Sequence, residues 1–232
     1  MIRSKLGRTL LGAVLTVAFT TVALAPASAA STPVITWQGS IADGASYVFG
    51  QVPAGPTCTA TEDLVPVSCV VTGYSTAVGS HTLTATAIAS DLVTTAVEYR
   101  SYTVTAWKLK GFYKPVRMNT INKVKAGSTV PLKFKIYQGT TKKKSTNAVA
   151  SLTAQRYDCT TLAPIGAAVP IASTHKGYRL KYRNGAYHQN WKTPKLPKSA
   201  KAKGKPTSVG ACYTVTLTAK DASTLTANFR LK

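Results

Sequence analysis

The strongest constraint on the fold is a two-residue alternation of apolar and polar side chains that recurs along the chain. It is clearest at residues 81–89 (HTLTATAIA), where Leu83, Ala85 and Ala87 share one face and threonines occupy the other. Successive side chains of a β-strand point to opposite faces, so this alternation predicts a half-buried strand. Similar segments rich in Val, Thr and Tyr follow one another, separated by Gly and Pro, with almost no helical periodicity. The sequence therefore predicts an all-β protein.

Closely spaced short strands are typical of antiparallel sheets packed face to face as a sandwich. In the first half the strand candidates are residues 34–37, 46–49, 57–61, 65–71, 81–89 and 97–105. In the second half they are residues 109–112, 121–125, 129–137, 148–158, 169–173, 178–182, 187–192, 211–220 and 225–231. Asn184-Gly185 predicts a type I′ hairpin. Pro131 predicts that its strand lies at a sheet edge or carries a bulge.

Charge divides the chain into two parts. Residues 30–106 hold one basic residue and five acidic ones, a net charge of −4, whereas residues 107–232 hold 25 Lys and Arg against two Asp, a net charge of +23. We therefore predict two tandem β-sandwich modules, an acidic one at 30–106 and a basic one at 107–232. The second is built to meet an anionic partner.

The first 29 residues have the pattern of a cleaved signal peptide. Arg3, Lys5 and Arg8 precede an uncharged stretch at residues 10–24, and Ala27-Ser28-Ala29 fits the cleavage rule. The stretch is shorter than the ~20 residues that span a bilayer, and we expect no transmembrane segment in the mature chain. The protein should be secreted, and its charge could retain it at the cell surface.

Four cysteines agree with export, because an even number in an oxidising compartment indicates disulfides. One bridge in each module, Cys58–Cys69 and Cys159–Cys212, is the simplest of three possible connectivities, and we predict it. The cysteine spacings and the absence of a histidine at ligand spacing argue against a metal site. We predict no metal and no cofactor.

Two stretches of the basic module resemble the PxKF domain family. They include GFYKPV at 111–116 and GSTVPLKF at 127–134, in which Pro131, Lys133 and Phe134 match the positions that give the family its name. QNWKTPK at 189–195 and ACYTVT at 211–216 are similar to its C-terminal half. The acidic module resembles the bacterial Ig-like domain that often precedes it.

This resemblance implies an exported bacterial protein made of Ig-like β-sandwiches, with Cys58–Cys69 bridged within its module. It implies no catalytic residue. The chain departs from the family pattern in a Lys-rich insertion before Cys212, so a ligand shared with the family does not follow.

Catalytic interpretations have little support, and we predict that the protein is not an enzyme. The three histidines, His81, His175 and His188, lie in separate elements, and no nucleophile-elbow motif accompanies them. The adjacent carboxylates Glu62 and Asp63 could serve glycoside hydrolysis or calcium binding, but a polar turn is the simpler interpretation.

The aromatic residues offer an alternative function. Trp37 should fill the first core and Trp107 the junction between modules, whereas Trp191 ends a strand next to a basic loop. Trp191 is the best candidate for stacking against a sugar, as in a carbohydrate-binding module, although core packing is the more common role.

The basic residues carry the main functional prediction. Residues 192–205 (KTPKLPKSAKAKGK) should form an extended, mobile loop, because they offer almost nothing to bury. We predict a non-enzymatic binding or structural protein whose basic module adheres to an anionic cell-envelope polymer or polysaccharide. Export argues against a specific nucleic acid partner. The predicted contact residues are Lys142, Lys143, Lys144, Lys192, Lys195, Lys198, Lys201, Lys203 and Lys205.

Overall fold

The computed structural model describes residues 31–171, 179–195 and 210–232. Six strands precede residue 106: β1 Val34–Gln38, β2 Ala45–Val48, β3 Thr57–Glu62, β4 Val65–Thr72, β5 Gly79–Ile88 and β6 Thr95–Thr105. Ten follow it: β7 Lys108–Gly111, β8 Ile121–Val124, β9 Thr129–Gln138, β10 Thr141–Lys142, β11 Val149–Tyr157, β12 Pro164–Pro170, β13 Lys181–Arg183, β14 Ala186–Lys192, β15 Cys212–Ala219 and β16 Thr224–Leu231. A short 3-10 helix covers Thr146–Ala148. The predicted all-β fold is confirmed.

The first six strands form one sheet in the order β1-β3-β4-β5-β6-β2. Strand β4 changes partner along its length, because Val67 pairs with β3 whereas Ser68 already pairs with β5. The sheet can therefore fold over on itself, and Ile35 of β1 packs with Ala85 and Ala87 of β5 in one buried cluster. We call this part the acidic module.

The remaining strands form a sandwich of two five-stranded sheets, which we call the basic module. One sheet has the order β10-β9-β14-β13, with β7 also paired to β9, and the other has the order β12-β11-β15-β16-β8. A single cluster of sixteen buried residues fills the space between them, including Leu132 and Phe134 from one sheet and Leu217 and Phe229 from the other.

Two pairings depart from the predicted antiparallel arrangement. Strand β2 pairs in parallel with β6, and β8 pairs in parallel with β16. In both pairs the earlier strand lies at the end of its sheet. Long stretches of chain separate each such pair in sequence, as a parallel pairing requires.

Both predicted disulfides are present. Cys58 of β3 is bonded to Cys69 of β4, with Cα atoms 5.7 Å apart, close to the point where β4 leaves β3 to pair with β5. Cys159, two residues after β11 ends, is bonded to Cys212, the first residue of β15, with Cα atoms 5.4 Å apart. Each bridge therefore lies within one module.

The turn predictions agree with the backbone. Asn184 and Gly185 both have positive φ, 48° and 73°, as a type I′ turn requires between β13 and β14. Pro131 pairs with Asn190 on one side of β9, whereas pairing of the other side with β7 begins at Phe134. Pro131 therefore lies at a local sheet edge.

Three strands of the basic module differ from prediction. The candidate at 169–173 overlaps the observed β12, Pro164–Pro170, only at residues 169 and 170, and its residues 172 and 173 lie outside the described residues. All seven side chains of β12 are exposed, so no alternating pattern marks it in the sequence. The two-residue strand β10 is too short to produce such a pattern. Of the candidate at 178–182, residue 178 lies outside the described residues, and β13 begins at Lys181.

Two glycines of the acidic module give a matched test of backbone packing. Both have positive φ, 85° at Gly73 and 70° at Gly44, but a Cβ at Gly73 would lie 2.1 Å from the Thr82 carbonyl oxygen, whereas a Cβ at Gly44 has no neighbour within 4 Å. We expect Gly44→Ala to cost about 1–2 kcal/mol from φ alone. Gly73→Ala should cost about 4 kcal/mol or more, because β5 must move. Urea unfolding measures both, and equal losses would contradict this packing.

Candidate polyanion-binding face

The functional candidate is the outer surface of the sheet that contains β9. Along this strand Leu132, Phe134 and Ile136 are fully buried against the core, so Lys133 and Lys135 between them point outward. We call the outer surface of β7, β9, β10, β13 and β14 the basic face.

Strand pairing lines up cations across this face. Lys133 pairs with His188 of β14, which in turn pairs with Lys181 of β13. On the other side of β9, Lys110 of β7 pairs with Lys135. Neighbouring strands lie about 4.8 Å apart, so these side chains emerge in closely spaced rows.

Aromatic rings hold several ammonium groups on this face. The Nζ atoms of Lys110 and Lys142 lie 5.2 Å and 5.9 Å from the centre of the Tyr137 ring. The Nζ of Lys135 lies 5.2 Å from the centre of the Tyr113 ring. Such cation–π contacts attract an ammonium group without neutralising its charge. The cations therefore remain available to an anion.

The predicted group Lys142–Lys144 does not form one cluster. Lys142 lies in β10 and contacts the ring of Tyr137 on the basic face. Lys143 is half-buried, with its Nζ 5.1 Å from the Trp107 ring centre and donating a hydrogen bond to the Gln138 side-chain oxygen at 3.1 Å. Lys144 is exposed.

The other predicted lysines divide between described and undescribed parts of the chain. Lys192 is exposed at the end of β14, where it pairs with Thr129 at the far end of β9 from Lys142. Lys195 is exposed three residues later. Outside the described residues lie Lys198, Lys201, Lys203 and Lys205.

Six cations of the basic face were missed by reasoning from sequence. They occur as three pairs separated by one residue within strands, and they are Lys108, Lys110, Lys133, Lys135, Lys181 and Arg183. Alternate residues of a strand share a face, so each pair marks a strand with a basic outer side. This spacing is a usable signal, and it differs from the lysine triplet at 142–144 and the Lys-rich segment at 192–205 on which the prediction depended.

The two carboxylates of the basic module are engaged elsewhere. Asp221 is buried and accepts hydrogen bonds from the Trp107 backbone N–H and the Ser223 hydroxyl. Asp158 accepts two backbone N–H groups, from Thr160 and Thr161, both at 2.8 Å, and these hydrogen bonds lower the pKa of its carboxyl group. Neither carboxylate belongs to the strands of the basic face.

The pKa of the His188 imidazole depends on its burial and on the charges of its neighbours. Partial burial lowers the pKa of its imidazole, and the positive charges of Arg183 and Lys133 lower it further. The neutral ring is therefore favoured in the folded protein. As pH falls through about 6.5, the unfolded chain binds more protons than the folded one, and the contribution of His188 to stability decreases.

The tryptophans occupy structural positions. Trp191 is only 4% exposed, and its ring packs against Phe229 with centroids 4.9 Å apart. Core packing, the more common role, is therefore what the structure shows for Trp191. The alternative of an exposed, sugar-stacking Trp191 is wrong, because β14 turns this side chain toward the core. Trp191 and Tyr213 are among the residues that line a cavity of about 340 Å³.

The other two tryptophans lie where they were expected. Trp107 joins the modules: its ring packs on Phe49 at 5.5 Å and its Nε1–H donates to the Phe49 carbonyl oxygen at 2.9 Å. Trp37 is half-buried against both clusters of the acidic module, and its Nε1–H donates to the Glu98 carboxylate at 2.8 Å.

The residues weighed for catalysis or metal binding have local partners. Glu62 is buried and accepts the Ser90 backbone N–H at 2.7 Å, and a ring nitrogen of His81 lies 2.6 Å from the Ala77 carbonyl oxygen. His175 lies outside the described residues. Within residues 31–171, 179–195 and 210–232, no three His, Cys, Asp or Glu side chains are grouped to hold a metal. Within the same ranges no helix has the length and hydropathy to cross a membrane.

Comparison of the sequence with family models and with curated proteins gives no match. The similarity of residues 111–116 and 127–134 to the PxKF domain therefore stays a prediction.

Distant solved structures are all-β. The fibronectin(III)-like modules of CbhA from Clostridium thermocellum align with a TM-score of 0.26 and 12% identity, over 86% of this chain and 94% of that one. The titin fragment I67–I69 aligns with a TM-score of 0.27 and 12% identity, over 89% and 66%. Sidekick-1 immunoglobulin domains 1–5 align with a TM-score of 0.28 and 12% identity, over 88% and 39%. These likenesses are too distant to bear on function.

The charge environment of His188 is directly measurable. We expect its ring to titrate below the ordinary value of about 6.5. Arg183→Gln should raise the midpoint, because it removes a positive charge that opposes protonation. Lys123→Gln, on an exposed residue of β8 in the opposite sheet, should leave it unchanged. Histidine ring signals followed by NMR between pH 5 and 8 decide this; an equal effect of both substitutions would contradict local coupling.

Proposed function

We propose that this chain is a non-enzymatic binding or structural protein, secreted or associated with the cell surface, whose basic module adheres to anionic polymers of the cell envelope. The observation that carries the proposal is the basic face. Lysine and arginine side chains emerge there from β7, β9, β10, β13 and β14, and both carboxylates of the module are committed to other contacts.

Charge density supports adhesion over a purely solubilising role. A net charge of roughly 2–8 in magnitude keeps a small domain soluble, whereas residues 107–232 carry +23. The strand pairings concentrate part of this charge on one side of a sheet, as with Lys133, His188 and Lys181 in one row. Many charges of one sign on one surface sum to a positive potential that attracts a polyanion.

The two disulfides are consistent with an oxidising compartment outside the cytoplasm. Residues 1–30, which include the predicted signal peptide, lie outside the described residues. In such a compartment the available polyanions are envelope polymers, acidic polysaccharides and lipid head groups. Retention by charge at the cell surface is the part of the proposal that needs direct measurement.

The acidic module is suited to a different role. It carries a net charge of −4, so it is not attracted to the same polyanion. Contacts across the junction join it to the basic module, including a hydrogen bond of 2.9 Å from the Gln138 side-chain N–H to the Phe49 carbonyl oxygen. We assign it the role of a spacer or of a surface for another partner.

Salt dependence tests the adhesion proposal. The mature protein should bind isolated cell envelopes at about 0.05 M NaCl and be released by about 0.5 M, because the Debye length falls from about 14 Å to about 4 Å. Pelleting the envelopes across a salt series measures the bound fraction. Soluble dextran sulfate should displace the protein at low salt, whereas uncharged dextran at the same mass concentration should not.

Two outcomes would contradict adhesion by charge. A protein that stays in the supernatant at about 0.05 M salt does not adhere at all. A protein that stays bound above about 0.5 M salt, and is displaced by a neutral sugar, would instead favour a specific carbohydrate site, because screening weakens ionic contacts much more than stacking and neutral hydrogen bonds.

A further inference from the structure

One part of the basic face is concave. A groove of about 270 Å³ lies where β9, β14 and β13 meet, and Lys133, Arg179, Lys181, Arg183 and His188 line it. None of these five residues was a predicted contact. Two lysines and two arginines thus surround one small groove, together with the imidazole of His188.

The fold brings these side chains together through pairing and alternation. The register places Lys133, His188 and Lys181 in one row across three strands, a span of about 10 Å. Leu180 and Tyr182 pack against the core, so Arg179, Lys181 and Arg183 between and beside them take the outward side. Lys133, Lys181 and Arg183 therefore reach the groove from paired strands, whereas Arg179 reaches it from the segment just before β13.

Positive charges this close repel one another, and after burial this repulsion contributes to the lowered pKa of the His188 imidazole. Burial, Arg183 and Lys133 all lower the pKa of its imidazole. Asp and Glu are missing from the residues lining the groove in the described part of the chain. A bound anion would relieve the repulsion, and electrostatically unfavourable clusters of this kind are typical of binding sites.

We propose that this groove binds phosphate groups of an anionic polymer, and that the protonation of His188 adds to their binding. The inference rests on the proposed function and gives it a site and a ligand class. Arg179 and Arg183 favour phosphate, because a guanidinium group donates two parallel hydrogen bonds to phosphate oxygens. Lys133 and Lys181 line the same groove and add positive charge beside the two guanidinium groups.

The first test separates the groove from the overall charge of the module. The triple variant Lys133→Gln, Lys181→Gln, Arg183→Gln removes three charges from the groove. The control Lys123→Gln, Arg156→Gln, Arg230→Gln removes three charges from exposed positions of the opposite sheet. Calorimetric titration of the full mature chain with linear polyphosphate, at about 0.15 M salt, gives the affinities.

We expect the groove variant to lose about tenfold or more in affinity, because it loses hydrogen bonds between charged groups. The control should lose no more than about threefold, since screening limits charges outside contact range. Equal losses would overturn the groove while leaving adhesion by net charge intact. Absence of binding by the unsubstituted protein would instead count against the proposed function itself. Circular dichroism melting verifies that both variants stay folded.

The second test concerns ligand class. Poly-glutamate supplies carboxylates on a flexible chain, and inorganic phosphate supplies the free ion. We expect polyphosphate to bind more tightly than either probe, and only polyphosphate binding to depend strongly on the groove substitutions. Poly-glutamate binding with the same dependence would overturn the assignment to phosphate. Inorganic phosphate binding as tightly as the polymer would overturn the assignment to a polymer.

The third test uses His188. The cations around it are Lys133 and Lys181 across the sheet, Arg183 on the adjoining strand and Arg179 in the lining of the same groove. The affinity for dextran sulfate, whose charge is constant in this range, should rise on acidification and should rise less in His188→Asn. NMR should show the His188 pKa increasing when polyphosphate is added. An unchanged pKa on saturation would overturn the role of His188.

Discussion

Strand β9 determines both sides of the basic module. Its residues Leu132, Phe134 and Ile136 are fully buried between the sheets, and the pleat of the strand forces Lys133 and Lys135 onto the opposite side. A shift of the pairing by one residue would bury lysines and expose the aromatic core. The hydrophobic core therefore fixes where the cations emerge, and the basic face is a consequence of the same pairing that stabilises the sandwich.

The contacts between the two modules use the buried carboxylate of the basic module. Asp221 is used at the base of the junction, where it binds the Trp107 backbone, and the Phe49 carbonyl oxygen accepts hydrogen bonds from both Trp107 and Gln138. These contacts join the acidic module to the basic one and take the buried carboxylate away from the outer surface. Because Asp221 is engaged at the junction, it does not neutralise the cations of β9, β13 and β14, and these can interact with an external anion.

Local patterns predicted most of the fold. The alternation in β5 and the Asn184-Gly185 turn identified their elements, because side-chain burial and positive φ depend on neighbours in sequence. Most of strand β12 was not predicted. All its side chains are exposed, so it has no alternation of apolar and polar residues, and it is a strand because its backbone pairs with β11. Core packing of Trp191 was the favoured interpretation, but its packing partner Phe229 comes from the other sheet and no local pattern identifies it.

The sequence by itself determined the period-two strands, the split of charge at residue 107 and the total of 25 cations beyond it. Only the tertiary structure decided which cations meet. Lys133, His188 and Lys181 become neighbours through the register of β14 with β9 and β13. That register is set by burial of apolar side chains from distant parts of the chain, so no run of adjacent lysines records it. The physical reason is that net charge is a sum over residues and does not depend on the fold. The neighbours on a binding surface, in contrast, are set by the pairing between strands.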